Sequence, residues 1–134
     1  LLYRVVVMTP DGYLIGDRSL VADRGPMRFA AHSSDTAALQ AASGIAAVQR
    51  LNWFNGGSMR AQQRRDVLVL SDLRMGLEPA YSFNFAVARR QGARWEAMPP
   101  ERAPVGKGAA LFSRAGVGDV WRRTWRRIWN EPAG

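Results

Sequence analysis

The strongest constraint in this chain is that its strand-like runs are joined mostly by tight turns, not by crossover helices. In "LYRVVVMTPDGYLIGDRSL" the β-branched Val5, Val6 and Val7 lead into Thr9-Pro10-Asp11-Gly12, and Tyr13 to Leu20 returns. Proline presets φ there, and Gly12 is expected to supply the positive φ of a tight turn. "SMRAQQRRDVLVLSDLRM" reads as a second hairpin turning near Arg64-Arg65-Asp66, with "VLVL" at 67–70 as its clearest strand. "YSFNFAVA" at 81–88 alternates, so Tyr81, Phe83, Phe85 and Val87 share one side. Arg89-Arg90-Gln91-Gly92 turns it into "ARWEAM", and Met27 to Ala31 is a short additional strand. Strands joined this way pair antiparallel, because parallel neighbours need a long crossover.

Helical signals fall in two places. Asp35 is placed to N-cap an alanine-rich stretch from Thr36 to Phe54, in which Leu39, Ala42, Ala46, Ala47, Leu51 and Phe54 recur near helical spacing. Ser43-Gly44 divides that stretch, and Asn55-Gly56-Gly57 ends it. Pro99, Pro100 and Pro104 read as a linker, followed by helical segments near 107–115 and 118–130. The fold class is therefore α+β: a mainly antiparallel sheet of about 5–7 strands built from hairpins, a helix after the first hairpin, and C-terminal helices packed on it. Residues 1–104 form the core domain, and 105–134 form a basic, Trp-rich helical segment.

Composition removes whole classes of chemistry. The 134 residues are enough for one domain with a core of its own. With no cysteine there is no disulfide, thiol nucleophile or thiolate metal site, and the lone His32 excludes a multi-histidine metal centre. A net charge of +8 favours anionic partners, either phosphate backbones or lipid headgroups. The apolar runs are far shorter than the roughly 20 residues that cross a bilayer. The chain opens on Leu1 directly in a strand, as an excised soluble piece of a longer protein would.

Catalytic candidates are few. "SDLRMGLEP" at 71–79 brings Asp72 and Glu78 together with Arg74 in a short connection. The two carboxylates are either an acid/base or metal-ligand pair, or a turn cap and a local ion pair. His32 before Ser33, Ser34 and Asp35 has no strand–turn–helix elbow and reads as a surface-loop histidine. "FNGGSM" at 54–59 follows a helix, the wrong context for a phosphate loop.

Three stretches taken together are more distinctive: "YRVVVMTPDGYLIGDRSL", "VQRLNWFNGG" at 48–57 and "VLVLSDLRMGLEPAYSFNFAVA" at 67–88. In this order they resemble the C-terminal soluble region of the YdjM-like family, over residues 2 to 100. Members are bacterial inner-membrane proteins described as metal-dependent hydrolases, with a LexA-binding label. The matching positions are Trp53, Phe54, Gly56, Asp72, Leu73, Arg74, Gly76, Pro79, Tyr81, Phe83 and Phe85, while Ser58-Met59 departs from the family's glycine and aromatic pair. The resemblance implies a divalent metal for the full-length family, held by an N-terminal membrane part that these residues lack, so no cofactor is expected in this chain. For the matching positions it leaves two readings, an architectural one and one in which Trp53, Asp72, Arg74 and Tyr81 line a groove facing the membrane part or a ligand. Phe83 and Phe85 would be core.

The last distinctive stretch is "WRRTWRRIW" at 121–129. On a helix Trp121, Trp125, Ile128 and Trp129 fall in one stripe, and Arg122, Arg123, Arg126 and Arg127 take the remaining surface. Two readings fit: a helix docked through its aromatic stripe with a solvated basic face, or an interfacial helix on anionic lipid. Nucleic acid ranks third, because base-stacking aromatics usually come from sheets or loops, not from a buried helical stripe. The expected function is an extramembrane accessory or binding domain of an inner-membrane metal-dependent hydrolase, on the cytoplasmic side. Its partners would be its own N-terminal membrane domain and an anionic membrane surface. The alternatives are a module binding nucleic acid or a LexA-type transcriptional regulator, and a stand-alone hydrolase using Asp72 and Glu78.

Overall fold

A computed structural model describes residues 1–105 and 114–130 of the 134-residue chain. The first hairpin forms as its sequence dictates, with β1 (Leu2–Thr9) and β2 (Gly12–Ser19) paired over eight residues, from Leu2 opposite Ser19 to Thr9 opposite Gly12. β3 (Ala30–Ser33) adds to the other side of β2, giving a three-stranded antiparallel sheet in the order β1-β2-β3. β3 begins three residues later than the expected strand and contains His32, which is therefore in a strand and not in a loop. Its ring stacks on Tyr13, its cross-strand neighbour, with centroids 5.3 Å apart.

Gly12 has a different purpose from the one expected of it. Its φ is not positive; the glycines that are left-handed are Gly25, Gly56, Gly57, Gly76 and Gly92. A Cβ on Gly12 would instead lie 2.0 Å from the carbonyl oxygen of His32. Glycine is needed here because the backbone of β3 passes directly over it.

Asp35 caps α1 (Thr36–Ala41), its carboxylate accepting the Ala38 N–H at 3.0 Å. The break at Ser43-Gly44 separates α1 from α2 (Ala46–Asn55), which ends on Gly56 in the left-handed conformation. These helices cover one face of a second antiparallel sheet, formed by β4 (Met59–Arg64), β5 (Val67–Asp72), β8 (Asn84–Gln91) and β9 (Arg94–Arg102) in that order. Ala38, Ala42, Ala47 and Val48 from the helices meet Met59, Ala61, Leu68, Leu70, Val87 and Ala88 from the sheet. Phe54 is not part of this core; it is largely exposed.

The fold is α+β and mainly antiparallel, as expected; among the described residues there are nine strands and three helices, with the strands divided between two main sheets and a short ribbon. The extra pair lies inside the 72–83 connection, where β6 (Gly76–Leu77) and β7 (Ala80–Tyr81) make a two-stranded ribbon. Tyr81 therefore leaves the strand that carries Phe85 and Val87, and the ribbon packs with Leu73 against Tyr13 and Ile15 of the first sheet. Phe83 and Phe85 are half-buried, and Arg102 lies over the Phe83 ring at 5.6 Å.

The expected linker is also a strand. β9 continues through Pro99 and Pro100 because it is an edge strand, and the β8–β9 register shifts between Ala86 and Ala88, where those prolines fall. Proline on an edge or at a bulge forfeits no ladder hydrogen bond. The helix expected near 107–115 lies largely outside the described residues. The one expected near 118–130 is α3 (Arg114–Trp129), which packs against β2.

Replacing Gly12 by alanine forces β3 off β2. We expect a loss of about 3 kcal/mol in urea unfolding, in the range of severe overpacking, whereas Gly44→Ala, which meets open space, should be near neutral.

Candidate functional site

The most developed polar constellation sits where the two sheets and the ribbon meet. Tyr13 comes from β2, Arg60 from β4, and Glu78 and Tyr81 from the ribbon and its turn. Strand alternation explains Arg60: Met59 and Ala61 point to the helices, so Arg60 points to the opposite face, toward the ribbon. One carboxylate collects all three donors. Tyr13 donates to Glu78 Oε2 at 2.6 Å, Tyr81 to the same oxygen at 3.0 Å, and Arg60 Nη1 to Oε1 at 3.1 Å. The Arg60 guanidinium also lies 5.0 Å over the Tyr81 ring.

Burial pushes the Tyr13 phenol up to about 12, and its hydrogen bond to Glu78 adds to the shift. Burial pushes Tyr81 up as well. Both phenols thus stay protonated as donors, and the Glu78 carboxylate is their acceptor. Its open side borders a cavity of about 500 Å³ walled by the bidentate Arg4–Asp17 pair, by Gly76 and Leu77, and by Arg123, Thr124 and Arg127 of α3.

Asp72 and Arg74 form a separate unit. Arg74 donates through Nε and Nη2 to the two Asp72 oxygens at 3.1 and 2.8 Å, and its backbone N–H adds a bond of 2.9 Å. Burial opposes ionisation of Asp72, but these bonds outweigh it and hold the carboxyl below its ordinary value. The outer face of Arg74 covers the Phe54 ring at 5.1 Å. The expected groove of Trp53, Asp72, Arg74 and Tyr81 is thereby divided. Asp72 and Arg74 are together, Tyr81 is buried in the other cluster, and Trp53 stands 85% exposed on α2 without joining either. Sequence reasoning missed Tyr13 and Arg60, and took Trp53 where its neighbour Phe54 makes the contact. Arg60 lacked any local signal, since its partner is 18 residues away.

Asp72 and Glu78 share no hydrogen bond, and each is engaged by its own cations or phenols. A hydrolase built on them would first have to free both. Among the described residues no group of three or more His, Cys, Asp or Glu side chains is arranged to hold a metal ion.

The C-terminal helix is docked in an unexpected orientation. Its polar side holds it down: Arg127 donates to both carboxylate oxygens of Asp23 and, at 2.7 Å, to the Asp17 carbonyl, while Ser19 Oγ donates to the Ile128 carbonyl. The Arg127 hydrogen bonds hold the Asp23 carboxyl below its ordinary value. Trp121, Trp125 and Trp129 are turned away and are 66%, 54% and 54% exposed. Their rings follow one another at 6.2 and 6.0 Å and, with Arg122, Arg126 and Asn130, line an open groove. Docking through the tryptophans is thus not how α3 is held. Arg123 and Arg127 face the cavity side, so the basic side of the helix is split between the two surfaces.

Glu78→Gln leaves the buried Arg60 guanidinium without a countercharge and should cost about 3 kcal/mol in urea unfolding, against about 1 kcal/mol for Tyr13→Phe, which removes one hydrogen bond. Absorbance titration of the phenols supplies an independent check. A raised phenol pKa contributes stability that is complete below the ordinary value of 10.0 and is lost as pH rises through about 12. Tyr13 should ionise only as the native state fails near that pH, and Glu78→Gln should bring its ionisation down.

Comparisons of the chain with known protein families, curated proteins and solved structures find no match.

Proposed function

We propose that this domain is an extramembrane binding domain that lies on an anionic bilayer surface through the tryptophan-bearing side of α3, as the accessory part of a membrane-associated protein of the YdjM-like kind. In that reading, the metal-dependent hydrolysis implied by the resemblance belongs to a membrane-embedded part outside these residues. The observation that carries the reading is the outward ladder of Trp121, Trp125 and Trp129, flanked by Arg122 and Arg126. Indole rings favour the headgroup zone, where the ring is in apolar surroundings and the N–H finds a polar partner. Arginines beside them meet anionic headgroups, each contributing about 1 kcal/mol near the surface. None of the described helices is long and apolar enough to cross a membrane, which agrees with a helix lying flat in the interface.

A second reading, binding of single-stranded nucleic acid, gains from the same exposure, because rings that stand free are available for stacking on bases. The two separate cleanly. On the membrane reading, the chain cosediments with vesicles of phosphatidylglycerol and phosphatidylcholine, its tryptophan emission shifts to the blue, and pure phosphatidylcholine binds less. Replacing the three tryptophans by alanine abolishes the binding without lowering thermal stability. Absence of vesicle binding, with tight and strongly salt-dependent binding to an oligonucleotide, would establish the second reading instead.

A further inference from the structure

We infer that the free edge of β1 is a docking surface for β1 of a second copy of this chain, the two strands pairing antiparallel about a two-fold axis to join two three-stranded sheets into one of six.

The case rests on how the sheet edges differ. An edge strand presents a row of unpaired N–H and C=O groups, and proteins blunt such rows with prolines, charges, bulges, short strands or a covering segment. Three of the four edges of the two main sheets are treated this way. β9 carries Pro99 and Pro100, the charges Arg94, Glu96, Glu101 and Arg102, and a register shift. β4 is covered at Ala61, whose N–H bonds Ser34 Oγ at 2.9 Å and whose carbonyl accepts the Asp35 N–H at 2.9 Å. β3 is only four residues long.

β1 carries only one such device, the charge of Arg4. It is eight residues long, pairs without a register shift, and contains three consecutive valines and no proline. Its one charged residue, Arg4, points to the inner face and is neutralised by Asp17 at 2.8 Å. On the outer face Tyr3, Val5 and Val7 are 50%, 38% and 42% exposed. Among the described residues no strand lies on its free side.

The occupant follows from the pattern of the strand itself. A two-fold axis through Val5 sets Val5 opposite Val5, Tyr3 opposite Val7, and Leu2 opposite Met8, so that every pair keeps both side chains on one face. Aromatic–β-branched and β-branched pairs are the favourable cross-strand neighbours. Arg4 falls opposite Val6, not opposite the other Arg4. A strand with a single outward charge or a polar outer face would not be self-complementary in this way.

The whole 134-residue chain has no cysteine, so one introduced thiol reports without ambiguity. Sedimentation equilibrium from micromolar to submillimolar concentration should show a monomer–dimer equilibrium. Val5→Cys should give a disulfide-linked dimer on mild oxidation, whereas Trp125→Cys should not. Val5→Lys places like charges opposite each other on the axis and should lose the dimer with its far-ultraviolet circular dichroism intact. If Val5→Lys does not fold, the Val5→Cys cross-link decides the matter. A chain that stays monomeric at submillimolar concentration overturns the inference. So does a dimer that survives Val5→Lys, or one that cross-links through Trp125→Cys and not Val5→Cys.

Discussion

The arrangement of this molecule depends on one carboxylate. Glu78 accepts hydrogen bonds from Tyr13, Tyr81 and Arg60, and those four residues come from the first sheet, the second sheet and the ribbon between them. The apolar contacts around them would hold the layers together without fixing their angle, because apolar attraction has no direction. Apolar residues of similar volume could match the stability of a buried Arg–Glu pair. What they could not supply is the 2.6 Å phenol–carboxylate bond that sets how the first hairpin lies on the ribbon. The cluster leaves Arg60 Nε without a hydrogen-bond partner among the described residues, so its polar atoms are nearly, but not wholly, satisfied.

That dependence explains the position of the cavity beside Glu78. Arg4 and Asp17 stand opposite each other on neighbouring strands of the first hairpin, and Arg4 reaches toward the Gly76 carbonyl of the ribbon. α3 crosses the same face and is tied at Asp17, Ser19 and Asp23. The open space between ribbon and helix is therefore lined by groups that the hairpin holds directly or through the ribbon and α3. Asp72 and Arg74 occupy the far end of the ribbon's approach, where the pair closes on itself and on Phe54.

Much of this fold was legible in the sequence, and the parts that were not share a cause. Hairpins, the Asp35 cap, the Ser43-Gly44 break and the Gly56 termination are local events, decided by residues within a few positions of one another. The ribbon was not legible because its strands are two residues each and have no periodicity to detect. Pro99 and Pro100 suggested a linker because sequence does not reveal that their strand lies on an edge, where a missing N–H is harmless. For the candidate site the balance reverses. Glu78 stood out in a dense polar connection and Tyr81 through the family resemblance, but Tyr13 and Arg60 reach Glu78 from 65 and 18 residues away, and no local pattern encodes such contacts.

The C-terminal helix shows the same limit in sharper form. Periodicity correctly places Trp121, Trp125 and Trp129 on one stripe of a helix, yet it does not say which stripe faces the protein. Here the decision falls to Arg127, whose guanidinium finds both the Asp23 carboxylate and the Asp17 carbonyl. Charge-assisted bonds of that kind are strong and directional. A helix held by its polar side leaves its apolar side unspent on folding. Exposed in this way among the described residues, the three aromatic side chains add little to folding, and that is the physical ground for proposing that they meet a bilayer surface.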